Sequence, residues 1–182
     1  VQKAILSGHV TVLYRKFSEL GWEPSPTCRD VIENANERLD GSGYPAGKRE
    51  EQLSELVRLV SVIKAINKLL HARNGEPPRP PLDAYRRIHE SDTVYDKTVL
   101  VEYIQIYGLY PIGSLAKFSG GFLAWVMDIN GKGMPSQVSV VKNLRFPDTN
   151  INSVINQNDL SQIGKLEGIV NPSDYGVKVL KI

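Results

Sequence analysis

The chain has 182 residues, 41% hydrophobic and 23% charged, enough for one core or for one core with a small appendage. A formal net charge of +2 is too small to argue for nucleic-acid binding. The single cysteine, Cys28, excludes an intrachain disulfide and points to a reducing, cytoplasmic compartment. No signal peptide or membrane span is read, because the most apolar run, 53–70, is interrupted by Arg58, Lys64 and Lys68. A chain that opens on Val1 reads as a piece of a longer protein whose upstream part is missing.

Residues 1–20 read as a helix, with Ile5, Val12, Leu13, Phe17 and Leu20 near helical spacing and Gly21 as its cap. Ser25 followed by Pro26 is an N-cap with proline at the first helical position. The second helix is expected over 26–39, burying Val31, Ile32 and Cys28. It delivers Asn36-Glu37-Arg38-Leu39-Asp40-Gly41-Ser42-Gly43-Tyr44-Pro45. Two glycines around a serine, then a Tyr-Pro step, predict a rigid loop with Glu37, Arg38 and Asp40 at its mouth. A tight inter-helix turn with a solvated charged entrance is the plainer reading of the same residues.

Residues 51–71 read as the longest helix, acidic at its start and basic near its end. It carries two apolar stripes, one through Leu53, Leu56, Val57, Val60 and Ile63, the other through Leu59, Val62, Ile66 and Leu69. Two stripes predict a central helix covered from more than one side. A proline-rich connector follows over 73–81, then helices over 82–90 and 96–107, the latter capped by Gly108. From Ser114 the period changes to that of strands, at 114–118, 122–129 and 137–142. Residues 147–157 read as polar loop with a short helical turn, and 177–182 as a last strand. The expected fold is mostly α, a helical bundle over 1–112, with a small β-rich appendage over 113–182 packed on it that holds an antiparallel β meander over 114–142, α+β overall.

The string Glu-Arg-Leu-Asp-Gly-Ser-Gly-Tyr-Pro at 37–45 resembles the signature of the HD-GYP family, and Gly-Leu-Tyr-Pro-Ile-Gly-Ser-Leu at 108–115 resembles a second signature of that family, in the right order. The resemblance covers roughly 9–126. It implies an HD-domain-like helical bundle and a bacterial phosphohydrolase that degrades cyclic di-GMP with a di- or tri-metal centre. In the family two adjacent histidines precede the Glu-Arg pair; here those positions are Ala35 and Asn36. The family's central-helix aspartate is Ser61, and the polar residue three positions on is Lys64. His9 falls where a further metal-binding histidine is expected, and is the one candidate ligand retained. A helix-face histidine without a ligand role is the favoured reading, since one imidazole cannot hold a catalytic metal alone.

The resemblance therefore implies a catalytically degenerate regulatory or binding module of cyclic di-GMP signalling, with no catalytic residues and no cofactor. It would dock a partner, such as a diguanylate cyclase (GGDEF) domain, through Glu37, Arg38, Asp40, Gly41, Gly43, Tyr44 and Pro45. The alternative is an active phosphodiesterase with an iron or manganese di-metal centre, its remaining ligands supplied by residues upstream of this chain. His71 and His89 match no family ligand and read as surface or capping residues.

Overall fold

The computed structural model describes residues 2–71, 75, 79–91, 93–147, 149 and 151–178, with side chains described from residue 8. The fold is α+β and mostly helical. Among the described residues five α-helices come first: α1 (Gln2–Glu19), α2 (Pro26–Asn34), α3 (Glu55–Leu70), α4 (Pro81–Glu90) and α5 (Lys97–Tyr107). Five strands follow: β1 (Leu115–Phe118), β2 (Phe122–Ile129), β3 (Pro135–Asn143), β4 (Ser153–Asn156) and β5 (Leu166–Val170). Two compact units are distinguished, one of Val1–Leu69 with Arg86–Leu100, the other of Leu70–Tyr85 with Val101–Ile182.

In the first unit, α2 begins as its sequence dictates. The Ser25 side chain accepts from the Cys28 N–H, and proline occupies the first turn. The helix ends at Asn34, five residues before the expected Leu39. Ala35 closes the last turn by donating to Val31 O, and Glu37 N donates to Asn34 O as the chain departs. The helical pattern could not show this early exit, because its cause is a long-range bond to Glu37 described below. Cys28, Val31 and Ile32 are only half-buried.

The central helix α3 starts at Glu55 rather than Glu51, because Ser54 is its cap: its Oγ accepts from Val57 N. Residues Glu50–Gln52 form a separate 3-10 turn. Ser54 also donates to Asp30 Oδ2, which ties α2 to the start of α3. Two-sided coverage of α3 is not what the structure shows. Val57, Ser61, Val62, Ala65 and Ile66 are buried, drawn from both predicted stripes, whereas Leu56, Leu59 and Ile63 are 38–41% exposed. Apolar patterning identifies candidates for burial; which of them find a neighbour is decided by packing. Asp96 caps α5, its Oδ1 accepting from Thr98 N and Val99 N, and an ion pair at 3.5 Å joins it to Arg58 of α3.

The second unit is built on one antiparallel sheet in the order β4-β3-β2-β1-β5. Strand alternation puts Ala116, Phe118, Ala124, Val126, Val138 and Val140 on one face with Ile163, and Leu115, Leu123 and Trp125 on the other. Strands β1 to β3 match expectation, β3 being longer at both ends. The polar loop expected over 147–157 contains β4, a short strand held by pairing along β3 from Gln137 to Val140. β5 was not anticipated; Gly168 interrupts its alternation, and its pairing with β1 lies some fifty residues away in sequence. Val177 and Lys178 form no strand, and 179–182 of the expected last strand lie outside the described residues, as do 73, 74 and 76–78 of the proline-rich connector.

The second glycine-rich string leads from α5 into this sheet. Gly108 adopts φ +82°, and a Cβ there would come 3.1 Å from Gly133 O. Leu109 N donates to the same carbonyl at 3.1 Å, so the α5–β1 turn and the β2–β3 turn touch backbone to backbone. Gly113 N donates to Val126 O and Val126 N to Ser114 O, which sets the register of β1 against β2 before the strand proper begins.

Candidate functional site

The loop after α2 is organised by a buried carboxylate. Glu37 is fully buried. Its Oε1 accepts from Ala46 N at 2.6 Å and Gly47 N at 3.1 Å, and its Oε2 accepts from Lys48 N at 3.1 Å. A carboxylate in the interior needs such charge-assisted bonds, and three consecutive N–H groups make a nest around it. Gly43 lies against the Glu37 backbone so closely that a Cβ would sit 2.3 Å from Glu37 Cα. Gly41 has φ +78°, and Arg49 passes over it. Asp40 Oδ1 accepts from Ser42 N, and this bond holds its carboxyl below the usual carboxylate range. Asp40 and Arg49 form an antiparallel bridge, and Glu50 N donates to Leu39 O. The Tyr44–Pro45 peptide is cis, Tyr44 is half-buried, Pro45 and Ala46 are exposed, and Tyr44 N donates to Asn36 O at 3.2 Å.

The positions expected to be former ligands do converge. Lys64 Nζ donates to Asn36 Oδ1 at 2.7 Å and to Ala35 O at 3.1 Å. The other end of the Asn36 amide, Nδ2, lies 3.4 Å from His9 Nε2. One chain of contacts therefore runs from α3 through the end of α2 to α1. Ser61, buried one turn before Lys64, accepts from Arg38 Nη1 at 3.3 Å. Arg38 also donates to Glu37 O, and its guanidinium lies 4.8 Å from the centre of the Tyr95 ring. Partial burial, with the Arg38 charge nearby as a lesser cause, lowers the pKa of Lys64.

All the expected positions (His9, Ala35, Asn36, Glu37, Arg38, Asp40, Gly41, Gly43, Tyr44, Pro45, Ser61 and Lys64) lie in the first unit. The structure separates their work. Glu37, Gly41, Gly43 and Asp40 shape the loop, whereas His9, Asn36 and Lys64 form the chain of polar contacts. Sequence reasoning missed Tyr95, which carries the Arg38 guanidinium, and the Ala46–Lys48 nest. Neither has a motif; the available hint was the Tyr95-Asp96 pair at a helix start.

Similarity to known proteins follows this geometry. Residues 22–99 match the model of the HD domain. This stretch is similar to an HD domain. The chain is similar to a cyclic di-GMP phosphodiesterase of Pseudomonas aeruginosa, 30% identical over 105 residues, covering 58% of this chain and 25% of the relative. A cyclic di-GMP phosphodiesterase of Thermotoga maritima is 25% identical over 103 residues, covering 56% of this chain and 28% of the relative. The matched part is thus about a quarter of the length of each of these relatives.

The metal centre implied for an HD domain needs imidazoles and carboxylates at the convergent positions. Here Ala35, Asn36, Ser61 and Lys64 offer a methyl group, an amide, a hydroxyl and an ammonium, and His9 brings a single imidazole beside them. The amide oxygen that could face a metal is already taken by Lys64 Nζ, a cation that repels another in that place. Among the described residues no three His, Cys, Asp or Glu side chains are grouped to hold a metal ion. These residues do not fit the group.

Proposed function

We propose that this HD-like stretch is a catalytically degenerate regulatory or docking module of bacterial cyclic di-GMP signalling, acting in the cytoplasm without a catalytic metal. The observation that carries the reading is the 2.7 Å contact of Lys64 Nζ with Asn36 Oδ1, which sets an ammonium among the former ligand positions. Similarity to two cyclic di-GMP phosphodiesterases supports the signalling assignment. Among the described residues no helix is long and apolar enough to cross a membrane, which is compatible with the proposed compartment.

The partner surface in this reading is the Gly-Tyr-Pro loop, with a diguanylate cyclase domain as the candidate partner. Glu37 fixes the loop from within, leaving Pro45 and Ala46 exposed and Tyr44 half-exposed. A polar-tipped aromatic beside an exposed proline suits an interface anchor. Tyr44→Ala is expected to weaken partner binding by roughly 2 kcal/mol. Retained binding in a pull-down of diguanylate cyclase domains, together with a large fall in melting temperature, would assign Tyr44 to packing instead.

The activity of both relatives favours a second reading, an active phosphodiesterase completed by ligands outside this chain. Elemental analysis of protein purified without chelator separates the two. Substoichiometric metal and no hydrolysis of cyclic di-GMP are expected; a firmly bound pair of iron or manganese ions would overturn the degenerate reading.

A further inference from the structure

A cleft in the first unit is lined by no residue of the loop or of the chain of contacts from His9 to Lys64, and shares with the site above only Tyr95, whose ring carries Arg38. It encloses about 200 Å³ and is bounded by α3, the end of α4 and the segment that leads into α5. Its floor includes Ala65 and Ile88, which are 8% and 3% exposed. Its rim includes Lys68 from α3 and Arg87 from α4, and Ser91 and Tyr95 line its remaining wall. None of the described lining residues is acidic. Neither the Lys68 ammonium nor the Arg87 guanidinium has an ion pair or hydrogen bond with another described residue.

We propose that this cleft binds a small organic anion, a phosphate monoester on a single ring or short chain. Two cations from different helices facing one cleft repel each other, and an anion between them removes that cost. The guanidinium favours an oxyanion with several oxygens in one plane or tetrahedron. Buried Ala65 and Ile88 offer an apolar floor for the body that carries the charge. Ser91 Oγ already donates to Ile88 O at 2.6 Å, so the charged donors for the anion are the two cations. The volume lies below that of drug-sized sites, about 300–1,000 Å³, and limits the ligand to a fragment. The site goes beyond the docking function: none of the former ligand positions lines it.

The test uses the chain as it stands, with phenyl phosphate as probe and inorganic phosphate and phenol as its two halves. Calorimetric titration at low salt is expected to show phenyl phosphate binding more tightly than either half. Combining Lys68→Gln with Arg87→Gln is expected to weaken it by about tenfold or more, the loss of at least one charge-assisted contact. Lys16→Gln, which removes an exposed charge on α1, is expected to change nothing. Equal affinity for phenol would overturn the proposal by removing the role of the charge. Equal affinity for inorganic phosphate would overturn it by removing the role of the floor. Undiminished binding in a double variant that keeps the parent melting temperature would place the anion elsewhere and overturn it as well; should that variant melt early, each single variant gives the same reading.

Discussion

Glu37 Oε1 accepts from Ala46 N at 2.6 Å, although nine positions of chain separate them. The contact closes the Gly-Tyr-Pro loop from inside. It makes Glu37 a structural residue, where the sequence alone had placed it at a charged, solvated loop mouth.

Glu37→Gln tests this closure. The amide oxygen can still accept from Ala46 or Gly47, but the amide nitrogen then meets Lys48 N–H, donor against donor. A loss of about 2 kcal/mol of folding stability is expected, the cost of a buried donor left unsatisfied. Urea denaturation measures it, and an unchanged midpoint would return Glu37 to the surface role.

The two loop glycines should rank unequally. Gly43→Ala brings a Cβ within 2.3–2.5 Å of the Glu37 backbone and Arg38 N, where nothing can move without unpicking the loop. Gly41→Ala meets φ +78° and the side chain of Arg49 at 2.8 Å, and a long side chain can swing away. The second change is expected to cost about 1–2 kcal/mol, the usual penalty for a left-handed non-glycine residue, and the first more. Melting curves of both variants check the order.

Lys64 predicts a pH dependence of definite sign. Its pKa is lowered in the fold, chiefly by desolvation, from an ordinary 10.5. Between the lowered value and 10.5 the unfolded chain binds more protons than the folded one, so this group adds stability as pH rises through that window. The stability difference between the parent and Lys64→Gln should therefore shift in the parent's favour over that range. A flat difference, measured by chemical denaturation at stepped pH, would mean that the ammonium is fully hydrated.

Tyr85 predicts the opposite trend in more alkaline solution. The residue is 3% exposed and packs edge-on to Tyr103, with ring centres 6.0 Å apart. Burial, and then the charge of Tyr103, push its pKa up from 10.0. The unfolded phenol ionises first, so stability is intact below 10.0 and falls as pH rises beyond it. Tyr85→Phe should blunt that fall, read as a higher midpoint of alkaline unfolding.

What the sequence disclosed and what it withheld divide along range. Ser25-Pro26, Gly108 and the alternation of 122–129 act through near neighbours, and the structure places α2, the end of α5 and β2 where they direct. The convergence of Ala35, Asn36, Ser61 and Lys64 was legible through the family strings alone, since composition and spacing carry no sign of it. The end of α2, the nest at Ala46–Lys48, the Tyr95 platform and β5 all depend on partners distant in sequence. A short strand such as Ser153–Asn156, polar at both ends, gains its identity from the β3 edge that it joins.

The strand order also sets a timetable for synthesis. The hairpins β1–β2 and β2–β3 are complete once Asn143 has been made, yet the free side of β1 waits for Leu166–Val170. While the chain between them is translated, at about 5–20 residues per second, Leu115–Phe118 presents an unpaired row of amides to whatever is near. A chain cut between Asn143 and Leu166 would keep that row open permanently. The cost of such a truncation would be paid in self-association as well as in lost stability, with β1 as the adhesive edge.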